Sequence, residues 1–278
     1  MHKKIQLVAL DLDGTCLTSS GKISRRLQHN IRKIKQRGLL LVIATGRPLS
    51  GVPEEFQAGS LKASYFLTLN GAQIYDSTME SPLYLQGLHP SCLPLISSAL
   101  CQQPALADFF SGASGYARKS QYQHASQYLA SPHFLSYYLS SRTPLEDALW
   151  HQELLSGRSV EKCNLFFYTP EDKDAFRDAL PPLPYTNICT GMDNNLELTH
   201  QNANKGTALG WLSHRLSIPF SKILAIGDSG NDRDMIRLAG TGVAMANAND
   251  SLKTIADYVT ASNDQEGVSQ ALEKFILE

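Results

Sequence analysis

Three strand-sized apolar runs in this chain stop abruptly at polar residues, and that pattern limits the fold more tightly than any other feature. Ile5 to Leu10 ends at Asp11, Leu39 to Ala44 ends at Thr45, and Ile223 to Ile226 ends at Gly227-Asp228. Runs this short and this continuously apolar suit strands buried on both faces, as in a parallel sheet covered by helices. Helical spacing fills the segments between them. Ser24 can cap a helix that places Leu27, Ile31 and Ile34 on one face and ends at Gly38; Pro48 can open another; Asn204 can cap one holding Ala208, Leu209, Leu212 and Leu216. Tyr65 to Leu69 reads as a strand ending at Asn70-Gly71, Gly242 to Ala246 as another, and Val268 to Leu277 as an amphipathic closing helix. The expected class is α/β, with a Rossmann-like parallel-sheet core.

The middle of the chain has a different texture. From about Tyr84 to Leu196 it holds most of the tyrosines and several prolines, with weaker periodicity. Cys163 to Tyr168 reads as a strand, and Pro170 to Leu180 as a helix broken by Pro181-Pro182-Leu183-Pro184. The expectation is an α/β domain at 84–196 inserted into a core made of 1–83 and 197–278. A chain of 278 residues is long enough for two such units.

Composition removes several function classes. Lys plus Arg (25) nearly equals Asp plus Glu (26), so no global basic field invites nucleic acid. No apolar run reaches the length of a membrane span, and Asp11 and Asp13 interrupt any signal-peptide core, so a cytosolic protein without membrane partners is expected. The five cysteines are scattered, with no C-x-x-C pair to suggest zinc or a disulfide framework. Cys16 reads as a small packed residue rather than a nucleophile, because nothing near it marks a base.

Placing carboxylates beside buried strands is costly unless a metal or a cation offsets the charge. Asp11, Asp13, Asp228 and Asp232 stand in that position. In an open parallel sheet, ligands bind beyond the carboxyl ends of the strands, where Asp11, Thr45 and Asp228 should meet. Lys205 begins a helix, where backbone N–H groups also favour an anion. Taken singly, these signals are weak. Two acids at a strand end make an ordinary turn, and a lone lysine is ordinarily on the surface. Asp11-Leu12-Asp13-Gly14-Thr15 directly after an apolar strand, and Gly227-Asp228-x-x-Asn231-Asp232, are far more specific.

Together with Thr45-Gly46-Arg47 and Lys205, these stretches resemble the four motifs of the haloacid dehalogenase-like hydrolase superfamily. The large insertion, Asn70-Gly71-Ala72 and Gly242 to Ala248 resemble its Cof-type phosphatase branch, with an α/β cap; within the cap, Asn195-Leu196-Glu197-Leu198 is the one landmark. The resemblance implies a Mg²⁺-dependent phosphatase of small phosphorylated metabolites, sugar phosphates foremost, acting through an aspartyl phosphate. It makes Asp11 the nucleophile and Asp13 the acid and then the base. Asp13 would have to carry a proton at first, for which a surrounding crowd of carboxylates would be the cause. Mg²⁺ would be held by Asp11, the Asp13 backbone carbonyl and Asp228. Leu12, Thr45, Gly46, Arg47, Asn70, Lys205 and Asn231 would contact the phosphate or substrate, and Asp232 would orient Lys205 or a metal-bound water. Arg47 has a competing reading, as the partner of a surface acid.

Two other functions remain open at this level. A phosphomutase or phosphotransferase of the same superfamily would pass the phosphoryl group to a hydroxyl instead of water. A non-catalytic phosphate-responsive module would keep it. A monomer or small homo-oligomer is expected in every case.

Overall fold

The computed structural model describes residues 5–103, 105–190 and 192–277. The described residues divide into two units: Met1–Arg47, Val52–Tyr84 and Ala203–Glu278 make the first, and Pro48–Gly51 with Leu85–Asn202 the second. The second boundary falls after Asn202 rather than at 196/197. The reason is β-pairing, which holds residues 195–200 inside the second unit.

The described residues form fourteen strands, in chain order β1 Leu7–Asp11, β2 Leu40–Ala44, β3 Tyr65–Thr68, β4 Gln73–Asp76, β5 Tyr84–Leu85, β6 Leu106–Ser111, β7 Ser114–Arg118, β8 Thr143–Leu145, β9 Lys162–Phe166, β10 Thr186–Cys189, β11 Asn195–His200, β12 Ile223–Gly227, β13 Thr241–Ala244 and β14 Tyr258–Val259. The first sheet has the order β14-β13-β12-β1-β2-β3-β4-β5. Strands β14 through β3 run parallel, and β4 turns back antiparallel to β3. The helix Arg25–Gln36 starts where expected, with the Ser24 hydroxyl accepting the Leu27 N–H at 3.0 Å. It buries Leu27, Ile31 and Ile34, and the chain leaves it through Gly38 at φ 78°. Strands β1, β2 and β12 are apolar, save for Asp11 at the end of β1, because helices cover both of their faces; one face packs Leu7, Ala9, Val42 and Ala225 on Ala208, Leu209 and Leu212 of the helix Lys205–Leu216.

Two expected helices are shorter than the pattern suggests. Pro48 leads only into a 3₁₀ turn at Leu49–Gly51 and a single turn at Glu54–Gln57. The closing helix is regular over Gly267–Leu272 and widens to a π-helical turn over Glu273–Leu277.

The second unit is a mixed sheet, β10-β11-β9-β6-β7-β8. One face packs Phe109, Cys163, Leu165 and Leu198 with Ile96, Trp150 and Phe176 from its helices. The other gathers Leu106, Phe166, Tyr128 and Tyr138. Asp108 on that second face is paired with Arg142 at 3.1 Å, and Asn164 donates to its other oxygen at 2.8 Å. The Arg142 guanidinium also lies 4.6 Å from the Phe110 ring centroid, so the buried charge has both a counter-ion and a π-face. Pro48–Gly51 belongs to this unit through close packing on the helix Pro132–Ser141: a Cβ at Gly51 would stand 2.4 Å from the Tyr137 hydroxyl oxygen. Among the described residues, no helix is long and apolar enough to cross a membrane.

Candidate active site

Register brings the site together. Parallel pairing sets Asp11 beside Ala44 and Leu10 beside Ile226, so β1, β2 and β12 end nearly level. Asp11, Thr45 and Asp228 therefore emerge at one edge of the first unit, at the carboxyl ends of the strands.

The centre is a buried charge cluster. Lys205, the first residue of its helix, donates from Nζ to Asp11 Oδ1 at 2.5 Å and to Asp232 Oδ1 at 2.7 Å. Lys205 and Asp232 have no exposed surface, and Asp11 is 4% exposed. Asn204 holds the start of that helix in place by accepting the Thr207 N–H at 2.7 Å. The other oxygen of Asp232 accepts the backbone N–H groups of Asp228 and Ser229, both at 3.0 Å. Asp232 is thus committed on both sides, to Lys205 and to the turn that carries Asp228.

Three carboxylates, Asp11, Asp228 and Asp232, offer oxygens within 4.8 Å of one another. With one ammonium among them, two negative charges are left over. Burial pushes the Asp11 carboxyl well above its ordinary range; Lys205 pulls it back, while Asp232 and Asp228 add to the rise. Asp228 moves upward too, from burial and Asp232, although the Thr15 hydroxyl, donating at 2.9 Å, favours its charged form. Burial works against the charge on Lys205, but Asp11 and Asp232 outweigh it, so Lys205 stays protonated. Asp11 Oδ2 is buried with no hydrogen-bond donor. An unpartnered hard oxygen, a second carboxylate beside it and more carboxylates than the one ammonium can balance fit a divalent cation. Gly14 makes the approach of Asp228 feasible. Its φ is 78°, and a Cβ there would lie 2.4 Å from Asp228 Oδ2.

Asp13 is placed otherwise than expected. Its side chain is 57% exposed and forms a two-point ion pair with Arg47, at 2.9 Å from Nε and 2.6 Å from Nη2. The crowd of carboxylates expected around Asp13 gathers around Asp11 instead, because β1 ends at Asp11 and the chain turns before Asp13, so the two side chains no longer share the face that i and i+2 positions of a strand would share. The carboxylate that clusters with Asp11 and Asp228 is that of Asp232, not that of Asp13. Arg47 meets an exposed acid, and the acid is Asp13.

The Thr45–Arg47 turn is braced from two directions. The Thr45 hydroxyl accepts the Arg47 N–H at 3.1 Å, which leaves its own proton for donation. The Asn70 N–H donates to the Thr45 carbonyl at 3.0 Å, and the Asn70 side-chain oxygen accepts from Asn231 Nδ2 at 2.9 Å. Asn70 sits at φ 59°, a left-handed position that asparagine tolerates. Gly46 lies against it: a Cβ at 46 would be 2.9 Å from Asn70 Oδ1. Asn70 and Asn231 thereby join the strand ends on opposite sides of Asp11. The Leu12 side chain is fully buried, so only its backbone can serve the site. Cys16 is buried, and burial together with Asp11 raises its thiol well above the ordinary range, which suits a packed residue. Thr15 is the site residue that inspection of the sequence overlooked. Its position in Asp-Gly-Thr, directly after two acids, was the available signal.

Residues 8–272 match the haloacid dehalogenase-like hydrolase family. The 5-amino-6-(5-phospho-D-ribitylamino)uracil phosphatase YcsE of Bacillus subtilis is 29% identical, over 98% of this chain and 96% of its own. HMP-PP phosphatase of Cronobacter sakazakii is 30% identical, over 87% of this chain and 85% of its own. Among solved structures, a haloacid dehalogenase-like hydrolase from Bacteroides thetaiotaomicron has a TM-score of 0.83 and 26% identity, covering 98% of this chain and 100% of that one.

Proposed function

This chain belongs to the haloacid dehalogenase-like hydrolase family, in its Cof-type phosphatase branch, and from that membership we propose that it hydrolyses sugar-type phosphate monoesters with Mg²⁺, through an aspartyl phosphate on Asp11. It is a phosphoric monoester hydrolase acting on small phosphorylated metabolites. The observation that carries the finer reading is the buried triad in which Lys205 spans Asp11 and Asp232 beside the unpartnered Asp11 Oδ2.

In this reading an Asp11 carboxylate oxygen attacks phosphorus, the bond to the ester oxygen breaks, and Asp13 gives that oxygen its proton. Asp13 then takes a proton from water, whose oxygen attacks the acyl phosphate. The bond from phosphorus to Asp11 breaks, inorganic phosphate leaves, and Asp13 is protonated again. Asp11, Asp228 and the Asp13 backbone carbonyl would hold Mg²⁺, which would neutralise the phosphoryl charge that otherwise repels Asp11. Lys205 offsets charge on the transferring group, and Asp232 keeps Lys205 aimed. Thr45 Oγ1, the Gly46 N–H and Asn231 donate to phosphoryl oxygens; Asn70 holds Asn231 and the Gly46 turn, and the Leu12 backbone lines the floor. Arg47 exchanges Asp13 for the arriving phosphate, and the released Asp13 carboxylate receives from solvent the proton it then gives to the ester oxygen.

The substrate class draws support from the relative that acts on a 5-phospho-D-ribityl compound, a phosphate carried on a sugar-alcohol chain. The test is phosphate release, with and without Mg²⁺, from sugar phosphates, sugar-alcohol phosphates, nucleotides and phosphoamino acids. Mg²⁺-dependent turnover is expected to be fastest on the first two groups. Release confined to nucleotides or phosphoamino acids would overturn the substrate class. Asp11→Asn should abolish turnover while the protein stays folded by circular dichroism, since an amide is a poor nucleophile; near-wild-type rates would remove Asp11 from its role.

A further inference from the structure

The short turn after β13 touches both loops that carry the site's acids. Met245 N–H donates to the Gly227 carbonyl at 3.0 Å, one residue before Asp228. Two residues further on, Asn247 Nδ2 donates to the Gly14 carbonyl at 2.8 Å, one residue after Asp13. Asn247 in turn is held by Asn263, whose N–H donates to its side-chain oxygen at 3.1 Å. Asn263 Nδ2 donates to the Leu17 carbonyl at 2.9 Å, and Asp264 accepts the Ser19 N–H at 2.8 Å. Leu17 is itself bridged to Asp13 through the backbone. The loop from Asp13 to Ser19 is therefore stapled at three carbonyl or amide groups by side chains more than two hundred residues away in the chain.

We propose that Asn247 is a positioning residue for the reaction, which with Asn263 holds the Gly14 peptide so that Asp13 and Asp228 keep their separation. The chemistry makes this demand on the loop. Gly14 has no side chain to restrain it and adopts a positive φ; inside the loop its peptide is held through the Thr15 N–H, which donates to the Leu12 carbonyl at a long 3.3 Å, and the Asn247 bond to the carbonyl side adds a hold from outside. The Gly14 carbonyl is bonded directly to the nitrogen of Thr15, whose hydroxyl steadies Asp228. A rotation of that peptide would shift Asp13 on one side and the Thr15 contact to Asp228 on the other. Asn247 is exposed, so its hydrogen bonds add little to stability. Its contribution is to geometry.

The inference rests on the roles given above to Asp11, Asp13 and Asp228. Its test compares Asn247→Ala, Asn263→Ala and the double variant in the full chain, with Asp11→Asn in parallel. Hydrolysis of p-nitrophenyl phosphate gives kcat and KM, and the rise of Tm on titration with Mg²⁺ alone gives metal affinity without turnover. Residues that orient metal ligands typically change affinity or rate by about 10–100-fold. Asn247→Ala is expected to lower kcat by about tenfold and to weaken the Mg²⁺ response by a similar factor, with KM little changed and the metal-free Tm near wild type. Asn263→Ala, which keeps the backbone bond to Asn247 and removes the side-chain bond to the Leu17 carbonyl, should act in the same direction, and the double variant should fall short of the product of the two, because both side chains hold one loop. Unchanged kcat and Mg²⁺ response in either single variant would overturn the proposal. A raised KM at constant kcat would overturn it as well, by making Asn247 a substrate contact. Should Asn247→Ala not fold, a structural role replaces the positioning one, and Asn263→Ala decides whether the loop still needs its anchor. If Asp11→Asn keeps turnover, the underlying reading fails; if Asp11→Asn is inactive and the asparagine variants match wild type, only this inference does.

Discussion

A lysine with no exposed surface stays a cation here because two carboxylates hold it. Removing one partner of a buried ion pair typically costs about 3–5 kcal/mol, since the remaining charge is stranded. Lys205→Met should therefore lower the unfolding free energy from denaturant titration by an amount of that order and abolish turnover; an unfolding free energy equal to wild type would mean that Asp11 and Asp232 tolerate each other without it. Asp11 makes a second prediction, about pH. Its carboxyl lies above the ordinary 3.8 in the folded protein, mainly through burial. The folded state therefore holds the proton more tightly than the unfolded chain does. The favourable contribution is complete below 3.8 and is lost as pH rises through the raised value. The metal-free wild type should thus lose stability relative to Asp11→Asn as pH climbs out of the acid range, and Mg²⁺ should reverse the loss. A pH-independent difference in Tm between the two proteins would contradict the assigned direction.

At the scale of an element, the turn after β1 is the most demanding piece of backbone in the site. Gly14→Ala meets two obstacles, a left-handed φ and an Asp228 oxygen 2.4 Å from the new carbon. The backbone conflict alone costs about 1–2 kcal/mol, and the displaced Asp228 should weaken Mg²⁺ binding well beyond that. Calorimetric titration of the variant with Mg²⁺ checks this; wild-type affinity would show that Asp228 can retreat without loss. The same scale shows what could be read before any coordinates. Strands β1, β2 and β12 were legible because both faces are covered and every position but Asp11, at the end of β1, is apolar. The helices at Arg25 and Lys205 were legible from Ser24 and Asn204, side chains that cap in the structure as their types suggest. The second unit was largely illegible. Asp108, Lys162, Asn164 and Asn195 are buried in strands yet polar, since each has a partner in the protein: Asp108 bonds Arg142 and Asn164, Lys162 pairs with Glu197, and Asn195 accepts the Met192 N–H. That breaks the alternation a sheet would otherwise display. In the site, the acids could be found from their spacing. The pairing of Asp13 with Arg47 could not, because it depends on which way each side chain leaves its turn.

The whole molecule carries two tryptophans, Trp150 in the second unit and Trp211 in the first. Each unit has its own apolar cluster, so each should report its own unfolding. With Trp150→Phe, the remaining fluorescence follows the first unit, and its midpoint should rise with Mg²⁺. With Trp211→Phe it follows the second, and Arg142→Leu, which strands the fully buried Asp108, should lower that midpoint selectively. A single transition that moves identically in all variants would mean that the two units melt as one. The segment Pro48–Gly51 bears on how such proteins can be recombined. It lies within a stretch otherwise assigned to the first unit, yet its packing partner Tyr137 is in the second. A chimaera that exchanges only residues 85–202 would seat a foreign helix on a native loop, directly downstream of Arg47. Engineers seeking to transplant selectivity between relatives should move that four-residue fragment along with the insert.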